Sequence, residues 1–308
     1  MKNRSGSGYK SGRGNWGAFT MAKQLRSVVV TGVSSGIGLA TAKSLLGAGF
    51  RVFGSVRKDE DARRVSSELG ERFSPLVFDV TDEKAVKTAA ARVRSALNGQ
   101  TLAGLVNNAG IAVAGPLVYL PIADFRNQLE VNLTGVMVTT QAFAPLLGVD
   151  RSLKGKPGRI VNLSSVSGRR ATPFLGPYAA SKFGLEALSA ALRQEMMVFG
   201  IDVIVVAPGM VSTPIWDKAN ELDVEPYATT AFASPIENVR FMAVKQGKSG
   251  LPPEKIGDVI RRAVTARFPK PRYEVSRPGM GKLVLSLLSQ RTIDRLTANA
   301  IGLRRLRN

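Results

Sequence analysis

An α/β fold with a doubly wound, mostly parallel seven-stranded sheet and helices on both faces is predicted by three observations. Short β-branched runs alternate with helix-length stretches along most of the chain, the pattern of a parallel sheet. The first of these runs, Ser27-Val-Val-Val30, passes into the glycine-punctuated turn Thr31-Gly-Val-Ser-Ser-Gly-Ile-Gly38 and then a helix-like stretch. Finally, 308 residues that are 44% hydrophobic can bury one full core as a single domain.

Strands are expected near 27–31, 51–56, 73–79, 102–107, 158–164, 201–207 and 272–275, and helices near 36–48, 60–69, 83–98, 124–147, 177–199 and 254–267. Asp124 and Pro177 suit helix starts, and Gly200 suits a stop before the sixth strand. The stretch 212–250 is long for a connection; irregular segments of that length are functional lids or disordered. The expected division is a disordered basic tail over 1–24, a folded domain over 25–276 that includes the lid 212–250, and an amphipathic basic extension over 277–308.

The chain has no histidine and no cysteine. That excludes a Ser-His-Asp triad, a thiolate nucleophile, an HExxH zinc helix and any Cys/His metal site, so no metal is expected. Acid-base chemistry falls to a carboxylate, a lysine or a tyrosine. Tyr178 and Lys182 lie four residues apart, on one face of a helix. A free phenol titrates near ~10; an adjacent ammonium favours the phenolate and lowers that value. The pair alone is weak support for catalysis. Gly32, Gly36 and Gly38 would let backbone N–H groups and a helix N-terminus approach a pyrophosphate. The spacing is G-xxx-G-x-G, not the usual dinucleotide fingerprint, and an ordinary tight turn is the competing reading.

Taken together, Thr31-Gly-Val-Ser-Ser-Gly-Ile-Gly38, Asn107-Asn-Ala-Gly110, Asn132, Ser165, Tyr178-Ala-Ala-Ser-Lys182 and Pro208-Gly209 resemble the short-chain dehydrogenase/reductase family, in its order and with no departure at any of these positions. The resemblance runs from about Ser27 to about Tyr273, some 80% of the chain. It implies a Rossmann fold and hydride transfer between the nicotinamide C4 of NADP or NAD and an alcohol or carbonyl carbon. Tyr178 would be the acid-base group. Lys182 would lower its pKa and bind the nicotinamide ribose. Ser165, thirteen residues before Tyr178, would polarise the carbonyl. Asn132 would kink its helix and support a water-linked proton relay, with a satisfied core asparagine as the competing reading.

The same resemblance implies a cofactor site from Gly32, Ser34, Ser35, Gly36, Ile37 and Gly38 at the phosphates, and from Asp79, Val80, Asn108, Ala109 and Gly110 around the adenine and the loop beneath it. Pro208, Gly209, Val211 and Thr213 would clamp the nicotinamide. For Asp79, a strand-ending turn residue is the plainer alternative. The end of the second strand decides the cofactor. Val56 stands where an acid would favour NAD, followed by Arg57 and Lys58, and an arginine there accommodates a 2′-phosphate. NADPH is therefore expected, with NADH possible if Arg57 is merely a solvated loop residue.

Substrate signals are thinner. The 212–250 stretch holds Ile215, Trp216, Leu222, Val224, Tyr227, Phe232, Ile236, Phe241 and Met242, and Pro173-Phe-Leu175 follows the catalytic serine. That inventory suits a bulky apolar alcohol or ketone, unless the lid merely packs on itself. The layout resembles the retinol- and hydroxysteroid-dehydrogenase-like branch. The net charge of +20 is half terminal: residues 1–26 carry six cations and no acid, and 291–308 carry five arginines against Asp294. Solvated tails are the plain account; nucleic-acid binding is unlikely without a binding module. The tail 280–296 could lie on an anionic membrane surface, or pack over the substrate mouth or a partner subunit. Dimers or tetramers through the helices near 124–147 and 177–199 are implied by the family. Zero cysteine and the absence of an apolar leader fit a cytoplasmic location. Two other functional classes stand beside the enzyme: a non-catalytic NADP(H)-responsive binding protein, and an interaction module driven by the basic ends.

Overall fold

The computed structural model of the protein describes residues 25–214, 223–277 and 288–303. Seven parallel strands form one sheet in the order β3-β2-β1-β4-β5-β6-β7. They are β1 (Ser27–Val30), β2 (Arg51–Val56), β3 (Phe73–Val77), β4 (Gly104–Asn107), β5 (Arg159–Leu163), β6 (Asp202–Pro208) and β7 (Arg272–Val275), each within two residues of its sequence-based position at either end. Strands β1 and β4 are buried along their whole length, which is why they read as unbroken apolar runs and not as alternating ones.

Helices cover both faces. One face packs α1 (Gly36–Gly47), α2 (Asp59–Leu69) and α8 (Pro253–Thr265) through Leu45, Leu46, Val65, Ile256 and Ile260. The other packs α3 (Glu83–Ala96), α5 (Gly135–Phe143) and the end of α6 (Gly176–Glu195) through Val86, Val93, Phe143 and Met196. The chain winds outward from β1 to β3, then restarts beside β1 at β4 and winds the other way. At that reversal the loops leaving β1 and β4 stay hydrogen-bonded to each other before the chain turns away, and the carboxyl edge of the sheet there is where an open α/β sheet places its ligand crevice.

The segment read as one helix over 124–147 is four pieces. Helix α4 (Ile122–Leu129) starts two residues earlier than Asp124, with Pro121 at its N-cap. A π-helical turn, Glu130–Thr134, follows, then α5, then a 3₁₀ turn, Ala144–Leu147, closed by Gly148 at φ +118°. Pro145 cannot continue an α-helical ladder, and Asn132 sits in the π turn. The 212–250 stretch is likewise no featureless loop. Its second half is α7 (Ala233–Lys248). Pro235 hid this helix from the sequence reading, although proline is tolerated in a first turn, and Ile236, Val239 and Met242 recur at the helical spacing.

Helix α9 (Gln290–Ile301) is capped by Ser289, whose hydroxyl accepts from Thr292 N. Its end folds back on α7: Ile301 is buried with Ile236, Tyr227 and Phe174, and Asn238 Nδ2 donates to Ile301 O at 3.2 Å. The end of the tail thus packs against the segment read as a lid. Ile215, Trp216 and Leu222, the basic opening 1–24 and the stretch 278–287 lie outside the described residues. Among the described residues no helix is long and apolar enough to cross a membrane.

Helices α1 and α8 meet at backbone distance. A Cβ added to Gly257 would lie 2.8 Å from both the carbonyl carbon and the oxygen of Ala40. We expect Gly257→Val to force the helices apart and cost about 1–3 kcal/mol in urea unfolding. An unchanged midpoint would show that the contact is slack.

Candidate active site

The turn after β1 is built for close approach. Gly32 and Gly36 adopt φ +69° and +56°, and a Cβ on Gly38 would stand 2.0 Å from Gly32 O and 2.5 Å from Asn108 Nδ2. Gly32 N donates to Ser55 Oγ at 3.0 Å, tying the turn to β2. Helix α1 then begins at Gly36 with Ser35 as N-cap, no side-chain capping bond and no acid in its first turn. Its leading N–H groups lack intrahelical partners and its positive dipole end is not neutralised, which suits an anion. Ile37 lies in this first turn, half-buried. These residues fit a dinucleotide pyrophosphate.

Asn108 braces the turn from below. Its Nδ2 donates to Thr31 O at 2.8 Å and Gly32 O at 2.9 Å, while Asn108 N and Ala109 N both donate to Thr31 Oγ1, at 2.9 and 3.0 Å. Gly110 passes so close to Asn132 that a Cβ there would be 3.1 Å from its Oδ1. Asp79 Oδ1 accepts from Thr81 N at 3.0 Å and Thr81 Oγ1 at 2.8 Å, the behaviour of a turn residue. Val80 is buried against Gly135. Arg57 is exposed at the end of β2 and makes no ion pair with a described residue. On the far side, Pro208 ends β6, Gly209 N donates to Val275 O at 2.8 Å, and Val211 bridges Leu251. Thr213 reaches over the glycine turn: its Cγ2 would meet a Cβ on Gly36 at 3.2 Å. The β6 loop therefore closes on the β1 turn.

Ser165, Tyr178 and Lys182 cluster at the carboxyl end of β5. Ser165 caps a short 3₁₀ turn, Val166–Gly168, its buried Oγ accepting from Ser167 N at 3.1 Å, and its side chain acts on the Tyr178 phenol. Neighbouring Ser164 points elsewhere, its buried Oγ lacking a partner and facing the Gly168 side of the turn. Lys182 lies one turn along α6 from Tyr178, with Nζ 5.7 Å from the ring centroid, and donates to Leu163 O at 2.7 Å. Burial pushes the Lys182 amine down to about 8, with Glu186 pulling upward. The Tyr178 phenol is pushed up by burial, and the Ser165 hydrogen bond pulls it down. The expected lowering by Lys182 is thus not met in the protein alone. Loss of water around the phenol outweighs the downward pull of Ser165.

Asn132 is engaged on both sides. Its Oδ1 accepts from Ile111 N at 2.9 Å, and its Nδ2 donates to Ile111 O at 3.0 Å and Ser181 Oγ at 3.1 Å. The side chain joins the β4 loop to α6 beside Lys182.

Several residues of this region escaped the sequence reading. Thr31 is the hub of the brace under the glycine turn. Gln128, fully buried, accepts from Val113 N at 2.7 Å and donates to Ile111 O at 3.0 Å. Arg64 on α2 donates to Ser34 O at 2.7 Å and pairs with Asp61 at 2.7 Å. A buried glutamine on a helix was the available signal for Gln128; nothing in the spacing of Arg64 marked it.

A glycine turn under an uncapped helix, a crevice at a strand-order reversal and a Ser-Tyr-Lys cluster beside it define a nicotinamide-dinucleotide oxidoreductase of the Rossmann class. The short chain dehydrogenase family model matches residues 26–223, and the chain belongs to that family. It is 38% identical over 273 residues, 88% of this chain and 96% of the relative, to an NADPH-dependent 3-dehydrocapnine reductase from Ornithobacterium rhinotracheale. It is 32% identical to retinol dehydrogenase 16 from Mus musculus, covering 81% of this chain and 80% of that one. A short-chain dehydrogenase structure from Streptomyces avermitilis superposes with a TM-score of 0.69 at 26% identity, covering 90% of this chain and 95% of that one.

The displaced Lys182 makes stability pH-dependent. Unfolded lysine holds its proton to about 10.5, while the folded residue releases it near 8. Between these values the unfolded state binds more protons, so stability rises with pH. The raised Tyr178 phenol opposes this only above its usual value of 10.0. Relative to Lys182→Met, the wild type should gain on the order of 2 kcal/mol between about pH 8 and 10 in urea unfolding. A pH-independent difference would remove the basis for a depressed amine.

Proposed function

We propose that this protein is an NADPH-preferring oxidoreductase that interconverts a carbonyl and an alcohol on a bulky, largely apolar substrate, using Tyr178 and Lys182 for proton transfer. The observation that carries the reading is the Ser165-Tyr178-Lys182 cluster standing at the mouth of the crevice whose other wall is the glycine turn. When bound, the nicotinamide supplies the hydride.

The chain's own residues do the rest. Ser165 orients the substrate oxygen beside the Tyr178 hydroxyl and stabilises charge as it develops there. Tyr178 gives its proton to that oxygen in reduction and takes it back in oxidation. Lys182, held by Leu163 O, presents a group near neutrality that passes protons to and from the phenol. The π turn at Asn132 lies on the route by which solvent resupplies that proton. The α1 N-terminus would hold the phosphates, Asp79 and Val80 would border the adenine, Val211 and Thr213 would hold the carboxamide, and Arg57 would receive the 2′-phosphate. NADPH preference is supported by that exposed arginine and by the name of the Ornithobacterium relative. Phe174, Tyr227 and Ile236 of the lid cluster pack on one another; the apolar substrate is supported instead by exposed Leu117, Val118 and Tyr119 in the loop after β4 and by the retinol-dehydrogenase relative. Exposed Phe183 on α6 supports assembly into dimers or tetramers through that helix.

The test is oxidation of NADPH and NADH with retinal, steroid ketones and short aldehydes. Tyr178→Phe should lower kcat by about 100- to 10,000-fold while NADPH affinity stays within a few-fold. A variant that turns over normally would sink the acid-base assignment. Arg57→Ala should erode the NADPH-over-NADH preference by roughly 10- to 100-fold. An unchanged ratio would move the 2′-phosphate elsewhere.

A further inference from the structure

A cavity of about 770 Å³ opens directly beside the proposed reaction centre, on the β6–β7 side. Its wall includes Val166 and Ser167, the two residues after Ser165, and Gly209 and Met210, the two after Pro208. Three arginines also line it: Arg169 and Arg170 from the turn after β5, and Arg277 from the segment after β7. Segments more than a hundred residues apart in sequence therefore bring like charges to one concavity.

The one acid in the wall, Glu274, pairs with Arg272 at 2.9 Å, and Arg272 also holds Glu186 at 3.1 Å. Glu274 is thus already engaged by a fourth arginine. Arg277 is anchored by a hydrogen bond to Ser249 O, so its placement is specified. Arg169 and Arg170 are exposed and make no ion pair with a described residue. Like charges gathered in a concave wall repel, and an anion seated among them turns that repulsion into attraction.

The opposite side of the reaction centre has the contrary character. The loop after β4 leaves Leu117, Val118 and Tyr119 at 62%, 76% and 54% exposure. Tyr119 meets Phe232 of the lid edge-to-face at 6.0 Å, and Phe232 meets Phe174 at 5.9 Å. The segment 169–175 runs from the arginines to Phe174, whose carbonyl accepts from Gly115 N at 2.8 Å. One wall thus passes from guanidinium to aromatic across the mouth of the site.

We propose that the substrate is an amphiphilic anion: its apolar chain lies along the β4-loop and lid side, and its acidic group is held by Arg169, Arg170 and Arg277. A carboxylate, sulfonate or phosphate supplies the same chemistry, because a guanidinium fork matches two oxygens of any of them. The inference rests on the oxidoreductase reading and narrows its substrate class.

The experiment compares medium-chain oxo acids, the ketone placed at increasing distance from the carboxylate, with their methyl esters under NADPH. In parallel, calorimetry measures dodecanoate and methyl dodecanoate binding to the NADPH complex. For at least one spacing the wild type should favour acid over ester in kcat/KM by roughly 5- to 50-fold, discounted for the exposure of Arg169 and Arg170. Arg169→Gln with Arg170→Gln, and separately Arg277→Gln, should lower that acid-to-ester ratio by about 10-fold. Esters turned over as well as acids at every spacing, or acids and esters falling in parallel in the variants, would overturn the anion site and leave the oxidoreductase intact. Dodecanoate binding that depends on the arginines, with no turnover of any carbonyl, would keep the anion site and overturn the redox reading. If the arginines instead govern only attachment to phosphatidylglycerol vesicles, with no preference for free acids, the surface serves a membrane and the proposal fails.

Discussion

Everything in the site hangs on the hydrogen bonds that Thr31 and Asn108 exchange where β1 and β4 part. A parallel sheet splits there because its winding reverses, and the exposed loop backbones need partners that a ladder no longer provides. Thr31 accepts from two successive amides of the β4 loop, while Asn108 returns its amide to two carbonyls of the β1 turn. The brace continues through Gly110 and Ile111 to Asn132, and from Asn132 to Ser181 on the helix that carries Tyr178 and Lys182. A chain of buried and part-buried polar contacts thus fixes the glycine turn after β1 against the helix that carries Tyr178 and Lys182. Each member is satisfied by another, which makes this edge of the sheet rigid.

A second network lies one layer deeper. Asn107 Nδ2 donates to Thr140 Oγ1 and Asn162 Oδ1, Thr139 Oγ1 donates to Asn107 Oδ1, and Asn162 Nδ2 donates to Ser189 Oγ. These residues are buried in strands β4 and β5 and in the helices over them. They hold α5 and α6 to the sheet immediately behind Ser165. Polar groups this deep are tolerated because each has its partner.

Most of the architecture could be read from residue order, since fully buried parallel strands leave apolar runs with sharp glycine or polar ends. Val28–Val30 and Val203–Val206 are such runs, and their positions needed no knowledge of partners. Helix α7 was not legible in the same way: Pro235 and Gly247 mark a loop by local chemistry, and the helix is stabilised by burying Ile236 against nearby Tyr227 and against Ile301, the latter far away in sequence. The site divides similarly. Ser165, Tyr178 and Lys182 gather at the carboxyl end of β5, but the charge state of Tyr178 and Lys182 is set by how much water the fold removes, which no spacing encodes. The arginine-lined cavity was invisible for another reason, because Arg169 and Arg277 meet only through the neighbouring ends of β5, β6 and β7.

The closure of α9 onto α7 has a practical corollary for anyone handling the molecule. Strand β1 starts at the amino edge of the sheet, opposite the crevice, whereas α9 ends at Ile301 against the lid. The two termini of the described fold are therefore unequal as attachment points. A label or fusion ahead of β1 is remote from the Tyr178 cluster, while the same appendage placed behind α9 bears directly on the packing of Ile301 against Phe174, Tyr227 and Ile236.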